Sequence, residues 1–200
     1  MPHESETQAG TDMQTTPDGK ISKDLTIPKL FLQRCRDYEN KVAMREKEYG
    51  IWRPFTWRDY YENVKQISLG LVRMGLQRGD RVALMGANRP EGLWGEIAAM
   101  CSGGVCAWLF QESLHDEIKY IVDHSDAKFF FAETQEEVDK ALEIKDECPD
   151  LEMIFWDDPK GMRDYTQDDL MSIRRLQELG RELDQEDPER FETLINQGHG

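Results

Sequence analysis

Three stretches of this chain carry residue types that could do chemistry: a turn with glycine before a helix, a His-Ser-Asp run, and a pair of aspartates. The turn Gly86-Ala87-Asn88-Arg89-Pro90 leads from an apolar run into a helical pattern. That is the general arrangement that holds phosphate at a helix N-terminus. It matches neither G-x-G-x-x-G nor G-x-x-x-x-G-K-[ST], however, and Glu91 stands where a bound anion would sit. The stretch therefore reads as a turn and a helix start. Gly103-Gly104 precedes a strand instead of a helix, and residues 110–113 contain no glycine. His124-Ser125-Asp126 has the composition of a hydrolase triad, but three adjacent side chains at a helix end diverge and form no relay. It reads as a helix C-terminus with a favourable histidine. Asp157-Asp158 could meet a hard cation, yet two carboxylates before Pro159 read as a solvated turn. Cys35, Cys101, Cys106 and Cys148 form no CxxC pair, and His3, His115, His124 and His199 lack the short spacing of metal ligands. They read as reduced thiols, with Cys101 on the apolar side of a helix and Cys106 in a strand. No residue is assigned a catalytic, cofactor-binding or metal-binding role.

The elements that would position such groups are plain in the hydrophobic pattern. A short amphipathic helix after Pro28 carries Leu30, Phe31, Arg34 and Cys35. Extended segments at 42–45 and 51–55 flank Tyr49-Gly50, a good hairpin turn. Thr56 and Asp59 form a capping box for a helix whose apolar positions Trp57, Tyr60, Tyr61, Val64, Ile67, Leu71 and Met74 fall on one face, and Gly75 ends it. A strand at 82–85 leads to a helix with Pro90 in its first turn and Leu93, Trp94, Ile97 and Cys101 along it. The alternation continues: strand 105–110, a helix capped by Ser113 with Asp116 and carrying Leu114, Ile118, Ile121 and Val122, and strand 128–132. A helix capped by Thr134 with Glu137 follows, bearing Val138, Ala141, Leu142 and Lys145, and then strand 151–156. Such repeated βα units predict an α/β fold with a mostly parallel sheet and helices on both faces. Trp94, Trp108, Phe129, Phe130, Phe131 and Trp156 fall in these elements and read as core. A polar helix carrying Leu170, Met171, Leu176, Leu179 and Leu183 comes next, and a short helix after Asp187-Pro188 carries Phe191, Leu194 and Ile195.

Composition sets outer limits. Of the 200 residues 38% are hydrophobic and 10% aromatic, too many for a disordered chain. Residues 1–24 show no apolar periodicity and read as a flexible leader, leaving 25–200 as the structured part. The net charge of −15 is uneven: residues 133–200 hold 21 acids and 8 bases, net −13. That segment repels polyanions, so neither nucleic acid nor an anionic membrane is an expected partner for that surface. No apolar run reaches the ~20 residues that span a bilayer, and the N-terminus lacks a signal pattern. A cytoplasmic protein is expected, possible membrane-peripheral placement being reserved for a longer form.

The stretch TWRDYYENVKQISLGLVRMGLQRGDRVALMGANRPEGLWGEIAAMCSGGV resembles the N-terminal region of the adenylate-forming, AMP-binding enzymes. The motifs are L-x-x-x-G-L closing a helix, a G-D-R-V-A strand, an N-R-P-E turn and a helix leading to G-G-V. The continuation ESLHDEIKYIVDHSDAKFFFAETQEEVDKALEI is similar to the long-chain fatty acyl-CoA synthetase branch. The resemblance implies an enzyme that uses ATP and Mg to convert a fatty acid to an acyl-adenylate and passes the acyl group to CoA. It also implies a Thr/Ser/Gly-rich phosphate loop ending in lysine, a magnesium-holding T-E pair, a ribose-binding aspartate and a C-terminal lysine, none of which occurs in these residues. Residues 25–200 are accordingly expected to form an incomplete N-terminal part of the synthetase fold, truncated before the phosphate loop. Alone they are expected to be inactive, to hold no cofactor tightly, and to be prone to self-association. Ala107-Trp108-Leu109-Phe110 is bulkier than the small residues expected after G-G-V. The alternative reading is a non-catalytic binding or regulatory protein that keeps only this half of the fold.

Overall fold

The structure, a computed structural model, describes residues 24–198. The expectation of a flexible leader falls outside them except for Asp24. Helix α1 (Ile27–Tyr38) is capped by the Thr26 side chain, which accepts from the Lys29 amide. Strands β1 (Val42–Glu48) and β2 (Ile51–Thr56) pair as an antiparallel hairpin. Tyr49 and Gly50 turn it with φ of 48° and 80°, the left-handed pair that a two-residue hairpin loop requires. Helix α2 (Trp57–Arg73) begins at the expected capping box: the Asp59 amide donates to Thr56 Oγ1 at 3.1 Å, and the Thr56 amide donates to Asp59 Oδ2 at 2.8 Å. Gly75, at φ 92°, turns the chain out of it.

Strands β3 (Arg81–Met85), β4 (Val105–Leu109), β5 (Ala127–Ala132), β6 (Met153–Trp156) and β7 (Leu170–Ser172) form one parallel sheet in the order β4-β3-β5-β6-β7. Helices α3 (Pro90–Cys101), α4 (His115–His124) and α5 (Gln135–Lys145) are the crossovers. A 3-10 turn at Met162–Asp164 precedes β7, and α6 (Ile173–Glu186) and α7 (Arg190–Asn196) follow it. Alternation along the strands sends Val82, Leu84, Phe129, Phe131 and Phe155 to one face, where they pack on α1, α2, α3, α6 and α7. Ala83, Met85, Phe130, Ala132 and Ile154 go to the other, under α4 and α5. Both faces are covered, as the fold class predicts.

Helices α2 and α6 touch at backbone distance. A Cβ built on Gly180 would lie 1.8 Å from the Gln66 carbonyl oxygen, and one on Gly70 would lie 2.3 Å from that of Leu176. Only glycine fits at this crossing, so α6 lies down on α2 and closes the first core.

Four expectations change. Leu170 and Met171 are not helical: with Ser172 they pair with Ile154, Phe155 and Trp156 as a fifth strand, and α6 starts only after Ser172, whose hydroxyl accepts from the Arg175 amide. Helix α4 begins one residue late, because the Glu117 carboxylate, not the Ser113–Asp116 pair, takes the free amide of Leu114 at 3.0 Å. Asp116 instead binds His115 Nδ1. Strand β4 is an edge strand among the described residues, so Val105 and Trp108 remain 54% and 38% exposed, and Phe110, just past its end, 82%. Trp108 is thus not core, although Trp94 and Phe129, Phe130 and Phe131 are; Trp156 is half-buried against the second core.

Candidate functional site

In an open parallel sheet, ligands bind beyond the carboxyl ends of strands where neighbouring connections leave to opposite faces. Here that point lies between β3 and β5. The chain leaves β3 into α3, on the α2 side, and leaves β5 into α5, on the α4 side. Gly86 to Arg89 lines one wall of the crevice, Glu133 the other, and Asp157, at the end of β6, its floor.

The protein's own side chains close it. The Ala87 amide, of the kind that would face a phosphate, donates to Glu133 Oε2 at 2.5 Å. Gly86 is glycine because Glu133 crosses it: an added Cβ would lie 2.9 Å from both the Glu133 Cβ and Oε2. Arg89 reaches across from the N-cap of α3 to three carboxylates, Glu46 on β1 at 2.7 Å, Glu133 at 3.4 Å and Glu91 at 3.7 Å. Burial alone would lower the Arg89 pKa, but the hydrogen bond to Glu46 and the charges of Glu91, Glu46 and Glu133 raise it. Burial raises the Glu91 carboxyl, with Glu46 and Glu133 adding and Arg89 opposing. Asp157 is pushed up to about 7, first by burial and then by Glu91, against the pull of Arg89.

Glu91, Glu133 and Asp157 therefore line, with Arg89, a cavity of about 20 Å³, room for about one water molecule, while Glu46 holds the guanidinium from β1. An unpaired carboxylate ~5 Å from a phosphate charge costs about 3 kcal/mol at an effective dielectric of ~20. Arg89 fastens β1 and the start of α3 to the end of β5, and the carboxylates repel an anion. The residues do not fit a nucleotide phosphate, and the turn-and-helix-start reading of Gly86 to Pro90 holds, with Pro90 in the first helical turn.

The other candidates are dispersed. His124 stacks on Tyr120 with ring centroids 5.3 Å apart, Ser125 Oγ donates to the Val122 carbonyl at 3.2 Å, and Asp126 pairs with Arg81. No relay forms. The two aspartates, alike in sequence and both half-buried, separate: Asp158 Oδ1 accepts from the Lys160 amide at 2.9 Å as a turn residue should, whereas Asp157 lines the crevice. Gly103, at φ 86°, shapes the turn into β4, its carbonyl accepting from the Gly79 amide at 2.9 Å. The described cysteines are free thiols; Cys101 lies on the buried side of α3 and Cys106 in β4. Burial pushes Cys35 and Cys106 up to about 12. No group of three His, Cys, Asp or Glu side chains among the described residues is placed to hold a metal ion. Arg89, Glu133 and Glu46 as a hub were not visible to sequence reasoning, since 43 and 44 residues separate Arg89 from its two strongest partners.

Comparison with known proteins identifies the frame that this crevice belongs to. The family profile "AMP-binding enzyme" matches residues 31–195. Curated relatives include long-chain-fatty-acid–CoA ligase ACSBG2 of Xenopus laevis, 25% identical over 161 residues, which cover 80% of this chain and 21% of that protein. Another is the ACSBG1 ligase of Mus musculus, 26% identical over 185 residues, 86% of this chain and 25% of that protein. This chain spans about a quarter of the length of such relatives. Among solved structures, the anthranilate CoA ligase AuaEII in complex with anthranoyl-AMP superposes with a TM-score of 0.69 at 17% identity, over 78% of this chain and 28% of that one. A putative long-chain-fatty-acid CoA ligase from Rhodopseudomonas palustris superposes with a TM-score of 0.64 at 18% identity, over 76% and 36%. At those identities the superpositions establish the fold, and the profile, covering most of the described residues, establishes the lineage: the chain belongs to the AMP-binding enzyme family.

Proposed function

We propose that this chain is the N-terminal part of an acid–thiol ligase that activates a long-chain fatty acid with ATP and Mg and transfers the acyl group to CoA. The observation that carries the reading is the family match over residues 31–195, together with long-chain-fatty-acid ligases as relatives at 24–27% identity. Within such an enzyme, residues 24–198 are a scaffold. Their sheet, covered on both faces, supplies a rigid base, and their switch-point crevice is shut by Glu133 and Arg89, so adenylation chemistry is assigned to residues outside it. Carboxylate activation needs groups that stabilise charge developing on phosphate. The crevice offers the opposite sign. No catalytic, cofactor-binding or metal-binding residue is proposed within the chain, and ATP, Mg and CoA are proposed as cofactors of the complete enzyme only. A role in the cytoplasm accords with the fact that no described helix is long and apolar enough to cross a membrane.

Reading the transcript beyond the Gly200 codon tests the assignment. A Ser/Thr/Gly-rich loop closing on a lysine is expected within a few dozen codons. A stop codon directly after Gly200 in the genomic sequence would overturn it in favour of a non-catalytic binding protein.

A further inference from the structure

The β1–β2 hairpin carries an unusual surface for so acidic a chain. At its tip Tyr49 is 96%, Ile51 73% and Trp52 61% exposed, three large side chains within four positions. The register sorts the strands by face. Met44 opposite Phe55 and Glu46 opposite Arg53 share one face; Phe55 is buried there and Glu46 is held by Arg89. Arg45 opposite Pro54 and Lys47 opposite Trp52 share the other, and all four are exposed. The Lys47 ammonium lies 5.9 Å from the Trp52 ring centroid. The outer face is thus basic and aromatic; the hairpin's exposed acid, Glu48, lies beside the turn and opposite Ile51 on the other face. The chain as a whole has a net charge of −15, of which −13 belongs to residues 133–200.

We propose that the outer face and tip of this hairpin dock on an anionic lipid bilayer. Tyrosine and tryptophan favour the headgroup zone because one end of the ring system is apolar and the other wet, and lysine and arginine beside them meet anionic headgroups. Arg45 and Lys47 supply the charge complementarity. The tip is convex and a few residues wide, too small for the ~800 Å² that a stable protein interface buries on each partner, but enough to seat aromatic side chains in a bilayer surface. The turn is fixed in the left-handed conformation, so little ordering opposes insertion. Repulsion between the acidic residues and the membrane is screened beyond ~10 Å at ordinary salt, which lets a basic protrusion act locally. The inference does not depend on the catalytic reading.

The experiment is co-sedimentation of the 200-residue chain with vesicles of phosphatidylcholine alone or with roughly one-third phosphatidylserine. Binding to the mixed vesicles is expected, weakening as salt rises. A Tyr49→Ser/Trp52→Ser double variant should lose roughly tenfold in partitioning. An Arg45→Gln/Lys47→Gln variant should lose roughly thirtyfold on anionic vesicles, about fivefold per base, and nothing on neutral ones. All four side chains are exposed, and far-UV circular dichroism confirms that the variants keep the fold. Brominated lipid should quench the wild-type chain more than a Trp52→Phe variant. Absence of binding to the mixed vesicles, or equal binding by the variants, would overturn the proposal. So would a dimer in sedimentation equilibrium that the Trp52→Ser change abolishes without any effect on vesicles, since the face would then serve a second copy.

Discussion

Asp157 makes the closed crevice testable through pH. In the folded chain burial, and then Glu91, push its pKa up to about 7 from an ordinary 3.8; Arg89 opposes them. An unfolded chain returns it to ~3.9. Between those values the folded state keeps a proton that the unfolded state has released, so stability falls as pH rises. The contribution is fully present below about pH 4 and is lost as pH passes about 7. Three units at ~1.4 kcal/mol each set the loss on the order of 4 kcal/mol. Asp157→Asn keeps the shape and removes the titration. Urea unfolding of both chains, followed by tryptophan fluorescence from pH 4 to 8, cancels the other carboxylates in the difference. The asparagine variant should match the wild type near pH 4 and exceed it by a few kcal/mol near pH 8. A difference that stays flat, or that shifts toward the wild type as pH rises, would refute the reasoning and show that Arg89 stabilises the ionised carboxylate.

Gly180→Ala should destabilise the chain by about 2 kcal/mol in the same assay: overpacking costs typically 1–3 kcal/mol or more, against a gain of at most ~1 in helix propensity, because the new methyl meets the Gln66 carbonyl oxygen. A more stable variant would mean that α2 and α6 do not cross where described. Cys35, buried and pushed up to about 12, should react with a thiol reagent at pH 8 only at the rate of unfolding; fast modification without denaturant would contradict its burial. Val105→Lys, on the open edge of β4, should reduce any concentration-dependent association seen by sedimentation, and an unchanged association would place the contact elsewhere.

What the sequence disclosed follows from the range of the forces involved. Helix α2 was legible because its start is local: Thr56 and Asp59 satisfy each other's amides within one turn, and the apolar spacing continues unbroken to Leu71. Strand β5 was legible because three phenylalanines in a row need both faces covered. Strand β7 was not. Three residues cannot display a period of two, and only pairing with β6 makes Leu170 to Ser172 extended. Trp108 looked like core because sequence order does not say which strand lies at an edge. Asp157 and Asp158 are indistinguishable until the sheet brings Arg89 and Glu133 beside one of them. The absence of a phosphate fingerprint at Gly86 to Pro90 was readable from residue types alone, whereas the reason, a carboxylate from β5 seated on the Ala87 amide, required the fold.

The central claim is that residues 24–198 are the scaffold of a ligase and not its reaction centre. Carboxylate-dependent ATP–pyrophosphate exchange, measured on the purified 200-residue chain with a long-chain fatty acid and Mg, tests it most directly. The expected result is no exchange above a buffer control. Exchange that requires the fatty acid, persists after contaminating ligase is excluded, and is lost on Arg89→Ala would contradict the account and return the crevice between β3 and β5 to the list of active sites.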